Sequence, residues 1–392
     1  MAARLTAGPA TADMPPTMQD TPLPPEPSAA TLGAWLLTRA MPLWLRHGWD
    51  RRAGGYHESL AHGDYACEAP FRRLRVVARQ IFVFSHAHRL GVPGAAEAAE
   101  RGIDFLARHA AQPEGGYAWR FDLANQPTDT TRDLYDHAFV LLALASAAAV
   151  LPAAGLRASA LALMQFLDTR MAHPSGGYRE AIPPSLPRRQ NPHMHLLEAL
   201  LAAHAAFGDP IFLARARAVV SLVLHRMIDP VTGALPEYFD EHWRADAPAG
   251  VFLTEPGHHC EWVWLLADFV RHAGADPRAD HAASRLLAFA DAHGAHPATG
   301  DMIECVGSDG VAVARSARLW AQAERLKAAF LRPDRTRAGK QAALAGLCAW
   351  LRPDGLWHER RTQDGGFVPG PAAATSLYHL TSAILTVAEA PD

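Results

Sequence analysis

Lysine is almost absent from this chain of 392 residues, occurring only as Lys327 and Lys340. Neither stands in a sequence context apolar enough to depress an amine pKa, so Schiff-base catalysis is not expected. Cysteine is nearly as scarce. Cys67, Cys260, Cys305 and Cys348 lie far apart with no C-x-x-C pair, which indicates neither a zinc ribbon nor a disulfide framework and fits a reducing compartment. Long apolar runs are missing too: the longest, Ala138 to Leu151, stops at Pro152, short of the roughly 20 residues that span a bilayer, and reads as a buried helix. No sign of charge dominates. Lys plus Arg number 37 against 40 for Asp plus Glu, a net charge of −3, so there is no basic footprint for nucleic acid or anionic lipid. P-loop and G-x-G-x-x-G fingerprints are absent, and no cofactor is expected. The first 28 residues are rich in Pro, Ala and Thr but lack a charged segment followed by an apolar one. They read as an extended arm rather than a secretory signal, with residues 29–392 as the folded unit and a cytoplasmic location expected.

What is present is apolar material, 49% of the residues, and a repeat. Ala53-Gly-Gly-Tyr56-His-Glu58 returns as Glu114-Gly-Gly-Tyr117 and as Ser175-Gly-Gly-Tyr178-Arg-Glu180. Weaker copies follow at Thr232-Gly-Ala-Leu-Pro-Glu237, Thr299-Gly-Asp-Met-Ile-Glu304 and Pro353-Asp-Gly-Leu-Trp357-His-Glu359. The six copies mark six units. Between them apolar residues recur at helical spacing, and each unit has room for two helices of ordinary length. Six helical hairpins predict an all-α fold, a single-domain (α/α)6 barrel, with an open solenoid as the alternative. The repeated Tyr56, Tyr117 and Tyr178 read as packing residues that seal the turns.

Polar residues interrupt the apolar helices in short blocks: Arg75-Val-Val-Ala-Arg79-Gln80, Tyr135-Asp-His-Ala-Phe139, Asn191-Pro-His193-Met-His195-Leu-Leu-Glu198, Glu255-Pro-Gly257-His258-His-Cys-Glu261-Trp262, Arg318-Leu-Trp320-Ala-Gln322-Ala-Glu324 and Tyr378-His379. Buried polar groups must pair or face a ligand, so these blocks predict a polar cavity inside the barrel. Pro256 and Gly257 place His258 at a helix N-terminus, where the helix dipole favours a neutral imidazole, and Glu261 falls one turn on, on the same face. Asn191 and His195 share a face while His193 points elsewhere. Trp320 and Glu324 also share one, and with Gln322 they combine an aromatic face with amide and carboxylate groups, as sugar sites do. Taken alone, each block also fits a capping or core role. The His-rich blocks are only fragments of a zinc site, and no metal is expected.

Together these blocks resemble the N-acylglucosamine 2-epimerase superfamily. The forms Asn191-Pro-His-Met-His195 and Pro256-Gly-His-His-Cys-Glu-Trp262 are most similar to its mannose and sulfoquinovose isomerase branch. The resemblance implies an (α/α)6 barrel and a metal-independent proton transfer beside a sugar aldehyde, on a monosaccharide, with a homodimer plausible. His258 and His379 would be the two acid/base groups and Arg79 the stabiliser of a cis-enediolate. Tyr135, Asn191, His195, Glu261, Trp320, Gln322 and Glu324 would hold the sugar hydroxyls. Mannose–fructose isomerisation is the expected reaction and 2-epimerisation the alternative. Because Ala245 to Pro256 carries no Lys or Arg to anchor an anion, a neutral sugar is preferred to a phosphorylated or sulfonated one. Rival readings are a glycoside hydrolase using Glu261 and Glu324, and a non-catalytic binding protein.

Overall fold

The apolar periodicity resolves into thirteen helical segments in a computed structural model, which describes residues 27–332 and 335–390. In chain order, α1 (Ala29–Trp35) and α2 (Met41–His47) are joined by the π-helical turn Leu36–Ala40 into one rod. There follow α3 (Leu74–Arg89), α4 (Ala95–Phe105), α5 (Leu134–Ala147), α6 (Ala153–Phe166), α7 (Gln190–Phe207), α8 (Pro210–Leu222), α9 (Pro256–Ala273), α10 (Pro277–His293), α11 (Leu319–Leu331), α12 (Arg337–Cys348) and α13 (Ala374–Glu389). The odd-numbered helices from α3 to α13 form an inner ring, each packed on the next, and α13 returns to pack on α3. The α1–α2 rod and the even-numbered helices from α4 to α12 form the outer ring, each backing an inner partner. The closed (α/α)6 barrel is therefore formed, and the open solenoid is not. Most of the N-terminal arm, residues 1–26, lies outside the described residues. Ser28 caps α1, its hydroxyl accepting from the Thr31 N–H at 3.1 Å. No described helix is long and apolar enough to cross a membrane, and all four cysteines are free thiols.

The glutamate that ends the repeat motif explains the closure. Several inner helices start without a side-chain cap of their own, leaving backbone donors to be satisfied. Glu58 accepts from the backbone N–H and Nε of Arg73, both at 2.6 Å, and Glu180 does the same for Arg189 at 2.9 Å. Glu359 accepts from Ala373 N at 2.8 Å and Glu237 from Glu255 N at 3.3 Å. The backbone carbonyls of these four glutamates face the other way: Ala374 donates to Glu58, Leu134 to Glu180, Gln190 to Glu237 and Leu319 to Glu359. Each glutamate thus stitches its own inner helix to the preceding one, and the Glu58 link joins the last unit to the first. The strand Ser59–Leu60 pairs with Ala372–Ala373 at the same seam.

A second repeated device latches the turns. The fourth residue of α5, α7, α9 and α11 accepts a backbone N–H from the turn of its own unit: His137 from Tyr117, His193 from Tyr178 and His259 from Leu235, each at 3.0 Å, and Gln322 from Met302 at 2.8 Å. Burial holds His137 and His259 down to about 4 and His193 to about 3, so these imidazoles are neutral acceptors. Tyr56 and Tyr178 are buried in the turns they close, as their repetition implies.

One departure from pure hairpins is larger than the sequence suggests. Where a short turn is expected after Thr299, Ile303–Gly307 and Ala312–Arg318 form an antiparallel ribbon. Leu253–Thr254 and Arg360–Arg361 extend it to four strands. Alternating half-buried Ala312, Ala314 and Ser316 with exposed Val313 and Arg315 give that ribbon its period of two.

Candidate active site

All six inner helices point their N-termini at one end of the barrel, and side chains at their second, sixth and ninth residues share one face of each helix. The second residues are Arg75, Tyr135, Asn191, Gly257, Trp320 and Thr375, forming an upper ring. The sixth are Arg79, Phe139, His195, Glu261, Glu324 and His379, forming the level below. The ninth are Phe82, Leu142, Glu198, Trp264, Lys327 and Ser382, which form the floor. The first two layers enclose a polar cavity of about 240 Å³. Of the predicted site residues it brings together Arg79, Tyr135, Asn191, His195, His258, Glu261, Trp320 and His379.

The two others sit differently. Gln322 is the latch of its turn, its amide also donating to the carbonyls of Met302 and Arg318 at 3.0 and 3.1 Å, and it does not line the cavity. Glu324 is fully buried behind His379, whose Nδ1 it meets at 2.7 Å. It orients the histidine rather than a sugar hydroxyl. This also takes Glu324 out of the carboxylate pair that a glycoside hydrolase would need, because it is already engaged by His379, Lys327 and Trp264.

The two histidines are poised in opposite directions. Burial lowers His379 to about 3 despite its bond to Glu324, and Arg79 and Lys327 add to that lowering. With Nδ1–H on Glu324, its Nε2 carries a lone pair. His258 was expected to be neutral from its place at a helix N-terminus. Here the expectation fails: burial would lower it, but Glu237, then Glu255, outweigh burial and push it up to about 9. Glu237 Oε1 sits 2.9 Å from Nδ1 and Glu255 Oε2 sits 3.8 Å away. Two carboxylates at these distances exceed the effect of one helix dipole. Asn191 answers to that charge. Its Nδ2 lies 3.0 Å from His258 Nε2 while its buried Oδ1 has no partner, so turning the amide gives the imidazolium Nε2–H an acceptor.

Arg79 is 3% exposed and has no carboxylate partner among the described residues. Its guanidinium donates to the Thr375 hydroxyl and carbonyl and to the Tyr135 hydroxyl, and lies 4.1 Å over the Phe139 ring. Glu261 is raised well above the usual carboxylate range by burial and then by Glu324, and neither of its oxygens has a hydrogen-bond partner, although His195 Nδ1 lies 3.7 Å from Oε1. It is therefore a neutral acid facing the cavity. His195 is held well below its usual value by burial and by Arg79, with Nδ1 3.1 Å from Glu198.

The gap at the second position of α9 is functional in shape. A Cβ on Gly257 would sit 2.7 Å from the Trp320 ring and 2.8 Å from Ala321, so only glycine lets Trp320 lie 4.8 Å from the His258 ring and 5.9 Å from that of His379. Gly257→Ala is expected to destabilise the fold by roughly 1–3 kcal/mol through overpacking and to raise the KM for sugar by displacing Trp320. An unchanged Tm together with an unchanged KM would remove this role.

Three clusters carry metal-ligating side chains: His195 with Glu198 and Glu261, Glu237 with Glu255 and His258, and Glu261 with Glu324 and His379. Their donors are largely engaged with one another and with Tyr378, Trp264 and Lys327. The last cluster has an ammonium 2.6 Å from Glu324, a poor neighbour for a divalent cation. The donor chemistry is that of a hydrogen-bonded proton network.

Several residues here have no site role assigned from sequence. Arg73, Thr375 and Ser376 line the mouth together with Arg75, Arg318 and Glu255, which the polar blocks contain without a role, and Glu237, Tyr378 and Lys327 support it from behind. Lys327 is fully buried, a placement that its sequence context does not announce. The missing basic anchor is corrected too: Arg73, Arg75 and Arg318 reach the mouth from other units, each paired with a carboxylate. Register is the signal that finds three of these, since aligning the six inner helices on their first residues puts Arg75, Thr375 and Lys327 in the inward layers.

A family model described as N-acylglucosamine 2-epimerase matches residues 54–383. The chain is 36% identical over 372 residues to the mannose-6-phosphate isomerase of Rhizobium meliloti (strain 1021), covering 91% of this chain and 95% of that one. It is 32% identical over 282 residues to the D-mannose isomerase of Thermobifida fusca, covering 67% of this chain and 68% of that one. Among solved structures, a D-mannose isomerase superposes with a TM-score of 0.84 at 22% identity, covering 93% of this chain and 98% of that one.

Proposed function

The chain belongs to the N-acylglucosamine 2-epimerase family and is a carbohydrate isomerase or epimerase; from this premise we propose that it interconverts D-mannose and D-fructose by metal-independent proton transfer in the barrel cavity. The observation that carries this reading is the pair of oppositely poised histidines on one cavity, His379 neutral and His258 protonated, with an uncompensated guanidinium beside them. Environments that drive two titratable groups apart assign the base and the acid.

His258 gives its proton to the ring oxygen as the C1–O5 bond breaks, while O1 loses its proton to solvent and the aldehyde forms. His379 Nε2 then takes the proton from C2. The C2–H electron pair becomes the C1=C2 bond, and the carbonyl pair moves onto O1. The resulting cis-enediolate faces Arg79, as a developing oxyanion faces fixed donors. To reach the ketose, the proton returns to C1, O1 is protonated and O2 gives up its proton as C2=O forms. Neutral Glu261, Tyr135, Asn191 and His195 hold hydroxyls, and Trp320 offers its face to the sugar.

A second reading, a 6-phosphorylated mannose, is favoured by Arg73, Arg75 and Arg318 at the mouth and by the likeness to the mannose-6-phosphate isomerase of Rhizobium meliloti. Against it, those guanidiniums already hold Glu58, Asp136 and Glu304 at 2.6, 2.7 and 2.5 Å, so a phosphate would have to compete for them. Proton NMR of the protein with D-mannose in D2O, and separately with mannose 6-phosphate, decides between them. Fructose carrying deuterium is the expected product. Glucose labelled at C2 without fructose would make the reaction a 2-epimerisation, turnover of the phosphate ester alone would establish the second reading, and no turnover of either would refute both.

A further inference from the structure

We propose that Lys327 is a positioning residue for the general base: its ammonium, sealed in the barrel floor, keeps Glu324 ionised and aimed at His379, and so keeps the His379 Nε2 lone pair facing the sugar. The inference rests on His379 being the base. A chain with two lysines has placed one of them where a lysine is least expected, fully buried. Charged groups are found in such places only when paired. Lys327 Nζ lies 2.6 Å from Glu324 Oε2 and 3.4 Å from Ser382 Oγ, and 4.1 Å over the Trp264 ring. Trp264 Nε1 donates to the same Glu324 oxygen at 3.0 Å, leaving Oε1 for His379 Nδ1 at 2.7 Å. The chain of contacts runs without a gap from the floor to the reacting atom.

The surroundings show why a cation is needed there. His379 is faced by Arg79 from α3, Tyr135 from α5, His195 and Glu198 from α7, His258 and Glu261 from α9, and Glu324 from α11, with Tyr378 beside it on α13. Three of these are carboxyl groups, and all three are buried. Glu198 is held by the Tyr378 hydroxyl and His195, Glu261 is protonated, and Glu324 is the one held far down, to about 2: burial opposes this, and Lys327 leads the groups that outweigh it, ahead of His379. Without the ammonium, the buried Glu324–His379 pair retains a proton to higher pH, in either of two arrangements. Protonated His379 has no lone pair. Protonated Glu324 donates to Nδ1 and forces the tautomer with Nε2–H toward the sugar. Both arrangements block proton abstraction while leaving the hydroxyl contacts in place.

The test is steady-state kinetics on the full-length protein with Lys327→Met, which keeps the stem and removes the charge, beside Lys327→Arg and His379→Ala, with D-mannose as substrate. For Lys327→Met we expect kcat to fall about 10²-fold with KM within about threefold, and the acid limb of the pH–rate profile to move up by at least one unit. Lys327→Arg, which keeps the charge, should leave that limb near its original place. Should Lys327→Met not fold, Glu198→Gln/Lys327→Met keeps the net charge of the floor and carries the same readout. An unmoved acid limb, or a rise in KM with kcat intact, overturns the role of Lys327. A His379→Ala variant that still exchanges the C2 proton overturns the assignment of the base itself, whatever Lys327 does.

Discussion

Replacing His379 by alanine is expected to lower kcat by about 10²–10⁴, the range for loss of a positioned general base, and to abolish solvent deuterium incorporation at C2 while the protein folds normally. The site gives no substitute. The neighbouring imidazole His195 is tied to Glu198, and Glu261 is a neutral acid. The same assignment fixes the pH dependence. His379 is the unprotonated partner at any pH above about 3, and His258 the protonated partner at any pH below about 9. Because the base must be free and the acid loaded, the rate should be level through neutral pH and fall as pH rises through about 9. In His258→Gln the alkaline limb should vanish along with most of the rate. A profile that instead rises between pH 8 and 10 would reverse the two roles; those pH limits are roughly one unit either side of a raised imidazole pKa.

Arg79→Met is expected to reduce kcat by about 10²–10³, the usual loss on removing an oxyanion donor, with little change in KM. The ground-state sugar is neutral, so the guanidinium gains most when the enediolate forms. The same substitution should leave Tm unchanged or raise it. Arg79 is buried without a carboxylate, and its support comes from Thr375, Tyr135 and the faces of Phe139 and Tyr378. Methionine fills similar space without the desolvation cost of an unpaired cation. Activity lost with stability kept would identify Arg79 as a group held for the reaction. A loss of both would make it structural.

The repeat motifs contain more of this architecture than their glycines suggest. Glu58, Glu180, Glu237 and Glu359 are the same residue of the same motif, and each caps its own inner helix while binding the preceding one. In the fourth unit that structural glutamate has acquired another task, since Glu237 also holds His258 Nδ1. Gln322 shows the converse. Its place beside Trp320 and Glu324 suggests sugar binding, yet it stands in register with His137, His193 and His259, and like them it latches a turn.

Spacing along the chain is enough for the six units and the helical pairs; that His258, His379, Arg79, Asn191 and His195 belong to one site comes from the resemblance, and the structure places them on one cavity. Only the tertiary structure decided the charge each group carries. Protonation depends on partners brought from other helices: Glu237 and Glu255 on His258, Glu324 on His379, and Lys327 on Glu324. Burial strengthens those couplings well beyond anything a linear pattern encodes. A lysine that looks idle in the sequence is the counter-charge of Glu324 in the floor, and the helix-terminal histidine expected to be neutral lies between two carboxylates.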